Sequence, residues 1–73
     1  MASTQDQIAV HLNGESRQVM GDRTVAGLLA DLGKDPRTVA IELNGEILPR
    51  TAYEATVLSE GDRLEVVQFV QGG

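Results

Sequence analysis

The C-terminal pair Gly72-Gly73 is the part of the sequence with the most distinctive chemistry. Glycine has no Cβ, so these residues can pass through a narrow channel of a partner protein without side-chain clashes. An α-carboxyl group has a reference pKa of about 3.3–3.7, so the end of Gly73 is an anion at neutral pH. Such an anion can attack the α-phosphate of ATP, and the resulting acyl adenylate is a far better electrophile than a carboxylate. The pair therefore indicates a terminus that another protein activates covalently, and the alternative is an incidental, frayed end of the chain.

The composition excludes most conventional catalytic sites. The 73 residues include no cysteine and a single histidine, His11. Thiolate nucleophiles, disulfides and cysteine metal sites are therefore excluded, and one imidazole cannot build a metal cluster by itself. Neither a G-x-G-x-x-G sequence nor a Walker sequence occurs, so we expect ATP to bind a partner and this chain to hold no cofactor. An enzyme that acts alone is not expected.

Charge and length restrict the possible partners and the compartment. Eleven acidic and six basic residues give a formal net charge of -5, which is the wrong sign for binding a nucleic-acid backbone and suits a basic protein partner. A membrane helix needs about 20 apolar residues in a row, and no run approaches that length. The first seven residues lack the positive flank and apolar segment of a signal peptide. We expect one small cytoplasmic domain, monomeric, without nucleic-acid or membrane partners.

Alternating apolar residues predict five strands, and two Asn-Gly pairs predict tight hairpins between the first two and between the third and fourth. The last predicted strand is the longest and most apolar. Pro49 follows the fourth and marks a short or edge strand, because proline cannot donate to a neighbour. The predicted strands are residues 8–12, 15–20, 39–43, 46–48 and 63–70.

One helix is predicted between the second and third strands. Thr24 is a suitable N-cap, and Gly33 suits the left-handed position after the last turn. The helix has a single apolar stripe, made of Val25, Leu28, Leu29 and Leu32. One stripe must lie across one face of one sheet, with the last strand central and beside the first. This predicts an α+β fold of the β-grasp, ubiquitin-like type.

We divide the chain into three segments on this basis. Residues 1–7 are predicted to be a disordered polar leader, residues 8–70 the β-grasp domain, and residues 71–73 a flexible tail of Gln71, Gly72 and Gly73.

The alternation of the last strand predicts an apolar surface beside the tail. Leu64 and Val66 share one face, so Val67 and Phe69 point to the other unless a bulge intervenes. Exposed contiguous apolar surface usually marks an interface. We therefore predict that Phe69 and Val67, with the adjacent Val70, bind a partner. The alternative is that Phe69 completes the core.

Three segments together resemble the ThiS/MoaD family of bacterial sulfur carriers. They are Thr24–Leu29, which follows the first Asn-Gly pair, Val39–Arg50, and Glu60–Gly73. Pro49-Arg50 after the second hairpin and the Val-Gln-Phe-Val sequence before the tail are more similar to the thiamine branch than to the molybdopterin branch. The resemblance covers residues 8–73.

The resemblance implies a carrier that is a co-substrate of enzymes. In this family a ThiF-type adenylyltransferase uses ATP to adenylate the terminal glycine, here Gly73. Sulfur from a persulfide, supplied by a cysteine desulfurase or another donor, displaces AMP and leaves a thiocarboxylate, which donates sulfur to thiazole synthase. Gly73 would carry the sulfur covalently, and Gly72, which has no side chain, would leave room around it. The alternatives are a molybdopterin carrier, a carrier for another sulfur product, and a non-covalent ubiquitin-like interaction module with an inert tail.

Overall fold

The computed structural model describes residues 6–69, which form one five-stranded mixed sheet and a single α-helix. The elements are β1 (Gln7–Leu12), β2 (Glu15–Met20), α1 (Val25–Asp31), β3 (Val39–Leu43), β4 (Glu46–Leu48) and β5 (Arg63–Gln68), with 3-10 turns at Pro36–Thr38 and Arg50–Ala52. The strand order is β2-β1-β5-β3-β4. β5 is parallel to β1 and antiparallel to β3. The predicted β-grasp arrangement is confirmed, with the last strand in the centre.

Both predicted hairpins are present. The φ angles are +51° and +86° at Asn13 and Gly14, and +54° and +86° at Asn44 and Gly45. Two consecutive positive φ angles define a type I′ turn, whose twist matches that of paired strands. The Asn-Gly pairs therefore set the register of β1 with β2 and of β3 with β4.

The helix begins and ends where its caps predict. The hydroxyl of Thr24 accepts a hydrogen bond from the Gly27 amide at 3.0 Å, and Gly33 adopts a φ of +71° just beyond the last turn. The apolar stripe of α1 packs on one face of the sheet. The buried core consists of Val10, Val19, Val25, Leu28, Leu29, Val39, Ile41, Tyr53, Leu58 and Leu64.

The strands begin and end slightly differently from the predicted boundaries. β1 begins at Gln7, which pairs with Met20, and the Asp6 carbonyl accepts a hydrogen bond from the Gly21 amide at 2.8 Å. Pairing with β2 therefore brings Gln7 into the sheet, one residue before the predicted start of the domain. β5 ends at Gln68. The predictions for residues 1–5, Val70 and the tail 71–73 lie outside the described residues. No helix in the described part of the chain is long and apolar enough to cross a bilayer.

Candidate functional site

The strand that leads to the C-terminal tail exposes two apolar side chains. β5 pairs with β3 without a bulge from Gln68 opposite Val39 to Leu64 opposite Leu43. Leu64 is therefore buried under α1, whereas Val67 and Phe69 are 56% and 48% exposed. Phe69 does not complete the core. Partner binding by these side chains stays a prediction.

Val67 belongs to a larger surface, which we call the outer face: the side of β3, β4 and β5 that points away from α1. On this face Val67 lies opposite Ala40, and Glu42 lies between Glu65 on one side and Ile47 on the other. The Ile47 side chain is 69% exposed. The outer face therefore combines exposed apolar side chains with carboxylates.

A cluster of hydrogen bonds fixes the end of β5, up to Phe69. The amide of Phe69 donates to the Thr38 carbonyl at 2.7 Å, and the Gln68 side-chain amide donates to the Thr38 hydroxyl at 3.1 Å. The ammonium of Lys34 donates to the Gln68 Oε1 at 3.1 Å. These bonds hold the last described residues against the segment between α1 and β3. The sequence did not predict this cluster, because the partners of Gln68 are about 30 residues away in the chain and no local pattern links them.

The neighbouring turn carries a carboxylate–guanidinium pair. Arg37 donates to both oxygens of Asp35, with Nη2 at 2.9 Å from Oδ2 and Nε at 3.2 Å from Oδ1. The Arg37 amide also donates to Oδ1 at 2.9 Å. The hydrogen bonds from the Arg37 side chain and backbone lower the pKa of Asp35 below its usual range, and the nearby Arg50 charge acts in the same direction. The pair therefore links the residue before the 3-10 turn to the middle of that turn.

We find no arrangement for a resident metal within residues 6–69, because no three histidine or carboxylate side chains come together there.

An open groove of about 550 Å³ lies beside α1 and the two 3-10 turns. It is lined by Ala26, Pro36, Tyr53 and Thr51, and by both signs of charge: Asp35 and Glu54 against Arg37 and Arg50.

Comparison with known proteins decides the family. The model of the ThiS family matches residues 10–73, which run from the middle of β1 through β5 to both terminal glycines. The chain belongs to the ThiS family. The resemblance stated from the three sequence segments is thereby confirmed.

Individual ThiS relatives align with this chain along almost their whole length. The sulfur carrier protein ThiS of Thermus thermophilus is 38% identical over 64 residues, which are 88% of this chain and 98% of that protein. In a solved structure, the thiamine biosynthesis protein ThiS of Geobacter metallireducens superposes with a TM-score of 0.77 at 35% identity. The alignment covers 90% of this chain and 100% of that one. The β-grasp fold of the ThiS family is therefore shared by both.

Other relatives are much longer proteins. A thiazole synthase of Paramagnetospirillum magneticum is 45% identical over 62 residues, which are 85% of this chain and 19% of that protein. A thiazole synthase of Magnetococcus marinus is 45% identical over 64 residues, which are 88% of this chain and 20% of that protein. The chain thus spans about a fifth of the length of these curated relatives.

Proposed function

We propose that this ThiS-family domain is the sulfur carrier for synthesis of the thiazole ring of thiamine, with the sulfur held as a thiocarboxylate at Gly73. The observation that supports this most is that the family match continues through Gly72 and Gly73 to residue 73. Relatives called sulfur carrier protein ThiS align with the chain over 98% of their own length. The unreactive composition of the chain agrees with a carrier role, because cysteine is absent and histidine occurs once.

The proposed chemistry takes place on enzymes that bind the tail. The Gly73 carboxylate attacks the α-phosphate of ATP in the site of a ThiF-type adenylyltransferase, and pyrophosphate leaves. The terminal sulfur of a persulfide, supplied by a cysteine desulfurase, then attacks the acyl carbon and AMP leaves. A thiol reduces the resulting acyl disulfide, which releases the thiocarboxylate and a new disulfide. Each nucleophile other than the Gly73 carboxylate comes from outside this chain.

The role of this chain is to present its C-terminus to the partner enzymes. Three residues follow Val70, and fully extended they reach at most about 10 Å, so the terminus can enter a cleft while the folded domain stays outside. Gly72 leaves room around the reacting carbonyl because it has no Cβ. The domain ends in β5, whose position is fixed as far as Phe69 by the hydrogen bonds to Thr38. The outer face beside it would contact the partner.

Thiazole synthase is the proposed acceptor of the sulfur. Two proteins called thiazole synthase contain a segment that is 45% identical to this domain, which supports a direct link between the domain and that enzyme. A thiocarboxylate supplies a soft nucleophilic sulfur, which is what forming the ring requires.

Mass spectrometry tests this proposal directly. The protein is incubated with ATP, the adenylyltransferase, a cysteine desulfurase, cysteine and a thiol reductant. We expect a gain of about 16 Da, the difference between sulfur and oxygen, located at Gly73 by fragmentation.

Appending one alanine after Gly73 should abolish the gain. Gly72→Val should slow it strongly and Gly72→Ala less, since a β-branched side chain obstructs a narrow channel more. An unchanged mass of the parent protein would favour an interaction module with an inert tail.

A further inference from the structure

The last step of β5 is bonded to a neighbouring strand on one side only. On the β1 side, the hydrogen bonds in the described part of the chain end at Val66. On the β3 side, Gln68 lies opposite Val39, and the Phe69 amide donates to the Thr38 carbonyl at 2.7 Å. A strand end bonded on one side opens easily, because few bonds must break. Further bonds at this end therefore determine how far the ordered strand extends.

Gln68 provides two such bonds from a position that the alternation of β5 assigns to the core face. Leu64, on the same face, is buried beneath α1, whereas Gln68 is exposed. Its side chain is bonded to Lys34, just beyond the last turn of α1, and to Thr38, the last residue of the first 3-10 turn. One side chain thus ties the end of β5 to two points of the segment between α1 and β3.

The hydrogen-bond partners fix the orientation of the Gln68 amide. The ammonium of Lys34 can only donate, so it bonds to Oε1 at 3.1 Å. The Thr38 hydroxyl donates its one hydrogen to the Asp35 carbonyl at 2.7 Å, so it accepts from the Gln68 Nε2 at 3.1 Å. A flipped amide would set donor against donor and acceptor against acceptor. Both bonds therefore form in one orientation of the amide.

The backbones of both partners are themselves held in place. The Lys34 amide donates to the Leu29 carbonyl at 2.9 Å, at the end of α1. The Thr38 amide donates to the Asp35 carbonyl, also at 2.9 Å. The Gln68 side chain therefore attaches the strand end to backbone that the helix end and the turn already fix.

We propose that Gln68 is a positioning residue for the reaction at Gly73: its two side-chain bonds keep β5 ordered through Phe69, so that the arm which carries the terminus is the segment 70–73. This inference rests on the proposed function, which makes Gly73 the reacting end. Four extended residues reach at most about 14 Å, whereas a strand opened back to Val66 leaves seven residues and about 25 Å. The three extra residues must be ordered again when a partner binds, which weakens binding without changing the bound terminus.

Methionine substitutions test this role, since methionine is close to glutamine and lysine in length but offers no comparable hydrogen bond. The variants are Gln68→Met and Lys34→Met. The control is Gln18→Met, because Gln18 is an exposed glutamine of β2, at the far edge of the sheet. Pyrophosphate release by the ThiF-type adenylyltransferase gives KM and kcat for the carrier. Gln68→Met should raise KM roughly 3–10-fold with kcat within about 2-fold of the parent value, and Gln18→Met should change neither.

Hydrogen exchange of the Phe69 amide, followed by NMR, gives a readout that requires no partner. Gln68→Met should speed this exchange roughly 3–10-fold, as expected for the loss of about one net hydrogen bond. The Tm should fall by no more than about 3 °C, because a strand end opens without global unfolding. Lys34→Met should have a smaller effect on exchange and on KM. It should have no further effect when combined with Gln68→Met, because it acts through the Gln68 amide.

Several results would overturn the role of Gln68 while the parent protein is adenylated normally. They are a parent-like KM or parent-like Phe69 exchange in Gln68→Met, a kcat that falls at constant KM, and an equal rise of KM in Gln18→Met. A loss of binding in Lys34→Met that persists in the Gln68→Met background would mean that the lysine contacts the partner instead. Parent protein that gains no mass at Gly73 overturns the proposed function and the role in that reaction. The exchange of the Phe69 amide still shows in that case whether Gln68 holds the strand end.

Discussion

The side chain of Asn13 is hydrogen-bonded to both backbone polar groups of Val66. Asn13 Oδ1 accepts from the Val66 amide at 2.8 Å, and Asn13 Nδ2 donates to the Val66 carbonyl at 3.3 Å. Backbone pairing of β1 with β5 reaches only Leu12 opposite Leu64, followed by a bond from the Asn13 amide to the Leu64 carbonyl. The amide side chain thus continues the parallel ladder by one more step while the backbone turns away to β2.

Asn44 is likewise hydrogen-bonded to backbone groups of β5, on the other side of that strand. Its backbone amide donates to the Arg63 carbonyl at 2.7 Å, and its side-chain oxygen accepts from the Arg63 amide at 2.9 Å. Both hairpin asparagines therefore hold the central strand, in addition to allowing the positive φ angles of their turns.

Replacing Asn13 by glycine should separate these two roles. Glycine keeps the positive φ but removes both bonds to Val66, so the free energy of unfolding should fall by about 1 kcal/mol. Asn13→Asp keeps the acceptor for the Val66 amide and should lose less. Urea unfolding measures both. If Asn13→Gly is as stable as the parent protein, the side chain acts only through the turn.

Phe69→Ala should weaken partner binding with little effect on folding. A side chain that is 48% exposed contributes little to the core, so the free energy of unfolding should fall by less than about 1 kcal/mol. The buried Leu64, changed to alanine as a control, should cost about 2–5 kcal/mol. Affinity for the adenylyltransferase, measured by surface plasmon resonance, should fall roughly 5-fold or more in Phe69→Ala. A loss of stability comparable to that of Leu64→Ala would instead assign Phe69 to the core.

Thr24→Ala should destabilise the domain by about 0.5–2 kcal/mol, because the Gly27 amide loses its acceptor at the start of α1. Thr24→Ser retains a hydroxyl in the same position and should stay near the parent value. Chemical denaturation followed by far-ultraviolet circular dichroism measures the difference. Equal losses in the two variants would show that the Thr24 methyl group, and not the cap, contributes the stability.

The Asp35–Arg37 pair predicts how the stability of the folded protein changes with pH in the acidic range. The pKa of Asp35 is lowered from 3.8 in the folded protein, chiefly by the side-chain hydrogen bond from Arg37. The ionised form is thus favoured in the folded state, so its stabilising effect is present above pH 3.8 and is lost as the pH falls through the lowered pKa. In Arg37→Gln the Asp35 pKa, followed by carboxyl carbon NMR, should rise toward its ordinary value. An unchanged titration would mean that Arg37 does not hold this carboxylate in solution.

The predictions that succeeded rest on patterns contained within a few residues. Asn-Gly at two places, the Thr24 cap and the apolar alternation of β5 each report a local backbone preference, and those preferences are strong enough to survive in the folded protein. The exposure of Phe69 followed from alternation alone because no bulge interrupts β5. The start of β1 was missed by one residue, because Gln7 joins the sheet only through its pairing with Met20.

The amino-acid order by itself was sufficient for the β-grasp fold and the family resemblance, since both depend on residue type and short-range spacing. The choice of Gly73 as the reactive end also comes from the sequence and stays a prediction. Only the tertiary structure could place Glu42 opposite Glu65, Asn13 against Val66 and Lys34 on Gln68. Those contacts join residues 23 to 53 positions apart in the chain, and they exist only once the register between β5 and its two neighbours is set. Register depends on the packing of a whole face of the sheet, which no single segment encodes.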